Sequence, residues 1–118
     1  MIWLFYMVSS VPLSEEKKLL VIYRVEAGCL GPEGGSLVVA FCDFAQQSIQ
    51  SLDSDLISWN IIPRNSKTDP EIEYNVVGKR ISYAQATRYI ELFGRTFDGF
   101  EAHLSERIAH YIEDFMNR

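Results

Sequence analysis

Four of the seven glycines in this 118-residue chain fall in one run, Gly28-Cys29-Leu30-Gly31-Pro32-Glu33-Gly34-Gly35-Ser36. The run separates a stretch with strand periodicity from one with helix periodicity, so the chain must pass from sheet to helix there. A glycine-rich turn of this kind either brings bare backbone up to a ligand or is only a long turn. Under both readings it fixes the order of the first half as strand, loop, helix.

Residues 18–26 alternate, with Leu19, Val21, Tyr23 and Val25 on one face and Leu20, Ile22, Arg24 and Glu26 on the other, the pattern of a strand with one buried face. Ser36 stands where it can cap a helix over 37–52. The stripe of that helix reads Leu37, Phe41, Phe44, Ala45, Ser48 and Leu52, flanked by Val38 and Ile49, with Asp43, Gln46, Gln47 and Gln50 on the wet side. Residues 56–62 alternate through Ile57, Trp59 and Ile61 and stop at Pro63. Residues 71–77 alternate through Ile72, Tyr74 and Val76. Two alternating runs joined by a polar loop make an antiparallel hairpin the default, and Gly78-Lys79 offers one more turn. Ser82-Tyr83-Ala84-Gln85 matches a capping box. The helix behind it should close at a left-handed Gly94. Thr96 can then cap a last helix whose apolar face is Phe97, Phe100, Leu104, Ile108, Tyr111, Ile112 and Phe115.

The expected order is β-α-β-β-α-α, with room for an extra N-terminal strand. It implies an α+β two-layer sandwich, a small, mainly antiparallel sheet with helices on one face. The chain divides into an apolar N-terminal segment and linker, 1–15, and a single α+β domain, 16–118. The first two strands should be parallel neighbours or be separated by the third. The order resembles the start of a ferredoxin-like split unit and departs from it where a helix replaces the last strand. Such a likeness of topology carries no function.

With 47% apolar and 23% charged residues, the chain has enough material for one core without metal or disulfide support. The net charge of −5, with Lys and Arg scattered, argues against nucleic-acid and membrane-surface partners. Cys29 and Cys42 make no disulfide framework and read as reduced thiols, which places the protein in the cytoplasm. The first eight residues are apolar but too few to span a bilayer, and no basic region precedes them. Met1 and Met7 both remain open as the native start. Trp3, Leu4, Phe5 and Tyr6 are costly to leave in water, and are the expected oligomer interface, as a peripheral strand or docked on a partner chain.

The glycine-rich run fails both nucleotide signatures. No Lys follows it, and its first two glycines are three apart. What survives is a helix N-terminus with Gly34, Gly35 and Ser36 as candidate anion or ligand contacts, opposed by the charge of Glu33. Cys29 is a candidate nucleophile, since a thiol at such a site can be reactive when a base is in reach. His103 and His110, seven apart on the last helix with Glu106 and Glu113, read as a solvated face rather than a metal site. No catalytic signature emerges, so the chain leans away from being an enzyme, and no cofactor is implied. The leading expectation is a small acidic interaction module, a homodimer or a partner for another protein. The alternative is a small-molecule or anion binder, or an enzyme, with its site at Gly28–Ser36. An acidic inhibitor that occupies a basic site is a third reading, supported by charge alone.

Overall fold

The computed structural model describes residues 12–118. The apolar segment at the N-terminus, with the extra strand and the contacts expected of Trp3, Leu4, Phe5 and Tyr6, lies outside the described residues.

A single 3₁₀ turn, Glu15–Lys17, leads into β1, Leu19–Val25. A second 3₁₀ turn, Ala27–Leu30, leads into α1, Gly34–Ile49. There follow β2 (Ile57–Pro63), β3 (Ile72–Val76), β4 (Lys79–Ile81), α2 (Tyr83–Glu91) and α3 (Phe100–Met116). The sheet order is β2-β1-β3-β4, with β1 parallel to β2 and antiparallel to β3, and β3 antiparallel to β4. This is an α+β two-layer fold with a mixed sheet.

The expected β2–β3 hairpin does not form. β1 lies between the two strands, with Val21 opposite both Trp59 and Tyr74. The loop from 64 to 71 is long enough to step across the end of β1, and arginines hold it there. The Arg64 N–H donates to the Val25 carbonyl and the Arg24 N–H to that of Glu71. The Arg64 guanidinium donates to Glu26 and to the Asp69 and Lys67 carbonyls. The Arg24 side chain donates to the Pro70 carbonyl and to Glu73. The extra turn expected at Gly78-Lys79 forms one residue earlier, at Val77-Gly78, and it adds β4 to the expected order.

Leu19, Val21, Tyr23 and Val25 point into one core with Ile57, Trp59, Ile61 and Tyr74. Burying each such side chain contributes roughly 1.5–3 kcal/mol. α1 covers them with Val38, Phe41, Cys42, Ala45 and Ile49, a stripe rotated from the expected one: Ser48 is exposed and donates back to the Phe44 carbonyl. α2 adds Ala86 and Ile90, and α3 adds Leu104 and Ile108. The Ser82–Gln85 capping box closes in both directions. Gly94 is left-handed at φ +78°. α3 starts later than expected, after a left-handed Gly99, and the Thr96 hydroxyl accepts from the Asp98 N–H within the linker instead of capping the helix.

Candidate functional site

The glycine-rich run is folded tightly on itself. α1 begins at Gly34, so Glu33 occupies the cap position without a side-chain bond. Ser36 lies inside the first turn, where its hydroxyl donates to the Glu33 carbonyl, so the expected serine cap is not made. The Gly34 N–H donates to Gly31 and the Ser36 N–H to Glu33. Gly34 is buried, with the Ala27 carbonyl against its Cα, whereas Gly35 is exposed and has open space around it. Gly31, at φ +87°, needs the freedom that only glycine has cheaply. Cys29 is exposed on the 3₁₀ turn and Cys42 is buried. Burial pushes the Cys42 thiol up to about 11, with a smaller contribution from Asp43. A thiol held protonated in this way does not act as a nucleophile at neutral pH.

His103 and His110 are both exposed on α3. Among the described residues, no group of three or more His, Cys, Asp or Glu converges on a metal position. His103 instead lies beside a cleft at the start of α3, floored by Trp59, Phe97, Phe100 and Leu104. Nothing in the sequence brought these residues together, because they come from β2, the α2–α3 linker and α3.

The other face of the sheet carries no described helix. Across it run the rows Ser58–Leu20–Asn75–Arg80 and Asn60–Ile22–Glu73. Leu20, Ile22 and Ile62 are half-buried and take no part in the core. A shallow groove of about 350 Å³ lies over Leu20 and Ile22, walled by Glu15, Glu16 and Lys18 on one side and by Glu73, Asn75 and the Val77-Gly78 turn on the other. Two of its carboxylates, Glu15 and Glu73, are held as anions. The Lys18 ammonium and the Ser58 hydroxyl lower Glu15 below the usual carboxylate range. The Asn75 amide and then Arg24 lower Glu73, against the opposing effect of burial. The wall also carries an unusual apolar residue: Val77, at φ +51°, is 69% exposed.

Neither sheet edge offers a long free ladder. On β2, the Gln46 side chain reaches down from α1, accepts from the Ile61 N–H at 2.8 Å and donates to the Trp59 carbonyl at 2.8 Å. On the opposite side, β4 is three residues long and carries Lys79 and Arg80. Short and charged edges disfavour strand addition.

Neither family models, curated proteins nor solved structures yield a match to this chain. Among the described residues, no helix is long and apolar enough to cross a membrane.

Proposed function

We propose that the protein is a small acidic interaction module of the cytoplasm whose helix-free sheet face is buried by another protein chain, in the simplest case a second copy. The observation that carries this reading is Val77. A β-branched residue in the left-handed region is strained by about 1–2 kcal/mol, and this one holds its side chain in solvent beside the groove over Leu20 and Ile22. It makes no part of the chain's own core. The same wall that strains the backbone therefore presents apolar surface outward, which suits a contact with a partner. The uncharged, apolar sequence of residues 1–8 supports the reading, since it too favours burial. The blunted edges favour a face-to-face contact over strand addition. Glu15, Glu16 and Glu73 favour a partner segment with Lys or Arg beside its apolar residues.

The alternative, a ligand at Gly28–Ser36, has less to stand on, because Gly34 and Ser36 are engaged within the loop.

Light scattering over the micromolar range tests the proposal. A dimer that Ile22→Glu dissociates, with the monomer still folded by circular dichroism, is the expected result. A monomer at every concentration, whose solubility and melting do not change on deletion of residues 1–8, would remove the support for it.

A further inference from the structure

Between the α1–β2 turn and the start of α3 the surface opens into a cleft of about 440 Å³, within the general range of small-molecule sites. Its floor is built from side chains that the core holds still. Trp59, Phe97 and Leu104 are at most 7% exposed. The Phe100 ring stacks on Trp59 at 6.0 Å and on Phe97 at 4.0 Å. The Trp59 indole N–H is anchored by the Leu52 carbonyl at 2.8 Å. The floor is thus largely aromatic and held in place by the core.

The rim carries charges of both signs. His103 and Arg107 are four residues apart on α3, so they lie about 6 Å apart along one face of the helix. Gly99 sets the imidazole: a Cβ there would meet His103 Cε1 at 3.3 Å, and its φ of +68° further selects glycine. Across the rim stand Asp53 and Asp98. Asp53 is engaged by Arg95 at 3.6 Å. Among the described residues, neither the Asp98 carboxylate nor the Arg107 guanidinium has a hydrogen-bond or ion-pair partner.

We propose that this cleft binds a free amino acid with an aromatic or large aliphatic side chain. The side chain lies on the Trp59–Phe100 floor. The carboxylate is taken by Arg107 with His103 beside it, and the ammonium by Asp98. A purely anionic ligand would face Asp98 and Asp53, a purely cationic one would face Arg107, and an uncharged apolar one would cover rim charges without pairing them, which is costly. A zwitterion with an apolar side chain satisfies the floor and both charged groups at once, and a guanidinium–carboxylate contact is among the stronger pairings available. The cleft lies apart from the sheet face invoked above, so the two readings stand or fall separately.

The emission of Trp59 reports on the floor directly once the other tryptophan is removed by Trp3→Phe. In that background L-phenylalanine should change the emission saturably, and glycine should not. Phenylalanine amide and N-acetylphenylalanine should each bind about tenfold more weakly, the scale of losing one charge-assisted contact. Arg107→Gln should abolish the preference for the acid over the amide. Asp98→Asn should abolish the preference for the free amine over the acetylated one. Both positions are exposed, so the urea midpoints should stay where they are. The proposal is overturned if L-phenylalanine gives no saturable change at millimolar concentration. It is equally overturned if the blocked compounds bind as well as the free amino acid, or if the two substitutions leave its affinity unchanged.

Discussion

The carbonyl oxygen of Ala27 lies 1.7 Å from the point where a Cβ on Gly34 would stand. Because that atom belongs to the backbone, a side chain at 34 can be accommodated only by moving the 3₁₀ turn away from α1. Gly34→Ala should therefore destabilise by about 2–3 kcal/mol. Gly35, one residue on, meets nothing within 4 Å. Gly35→Ala should stabilise by about 0.5–1 kcal/mol, the helix preference for alanine over glycine. Urea unfolding of the two variants reads the difference. Equal midpoints would show that the Ala27–Gly34 contact does not set the geometry of the loop.

Val77 and Gly78, at φ +51° and +74°, form the two-residue turn between β3 and β4. Asparagine tolerates the first of these positions far better than valine does. Val77→Asn should raise stability by about 1 kcal/mol. If the sheet face is an interface, the same substitution should weaken self-association in sedimentation experiments. Stability and assembly would then move in opposite directions, which simple relief of strain does not produce. A variant both more stable and equally associated would detach Val77 from any binding role.

What the sequence made legible was local. The alternation in β1 and the Ser82–Gln85 capping box involve neighbours in the chain, and both appear as read. Strand partnering was not legible. The alternation of 56–62 and 71–77 says which side chains face the core, but not that β1 inserts between the two strands. That choice rests on Arg24 and Arg64 gripping loop carbonyls, contacts that no periodicity records. The cap at Ser36 failed because α1 starts at Gly34, three residues before the first residue of the expected helix, which puts Ser36 inside the first turn. Gln46 was placed on the wet side by polarity alone, yet its amide is spent on β2. The cleft residues converge only after β2 and the α2–α3 linker pack together, so their sequence spacing carries no sign of it.

Gln46 supplies two hydrogen bonds to the outer edge of β2. Gln46→Leu keeps a similar volume but leaves the Trp59 carbonyl and the Ile61 N–H without that partner, at a cost of about 1–3 kcal/mol. It also exposes a template for strand pairing. The variant should melt lower and associate with concentration even when Ile22→Glu is present in the same chain. That second substitution separates edge pairing from the face contact. Unchanged association in the double variant would mean that the edge is protected by something other than Gln46.

The Tyr74 hydroxyl donates to Glu101 at 2.6 Å, joining β3 to the first turn of α3. Burial pushes this phenol well above its ordinary value, and the Glu101 carboxylate pushes it further. The folded protein therefore keeps this proton at pH values where the unfolded chain, with a tyrosine value near 10, has lost it. Stability from this group is fully present below about pH 10 and falls as pH rises beyond it, because the unfolded state then binds fewer protons than the folded one. Burial of Tyr23 acts in the same direction and raises that phenol to about 12. Tyr74→Phe should lower the urea midpoint at pH 7, since a hydrogen bond to a carboxylate is lost. It should also make the alkaline decline shallower without abolishing it, because Tyr23 remains. Parallel curves for the two proteins between about pH 9 and 11 would mean that the Tyr74 proton is not linked to folding.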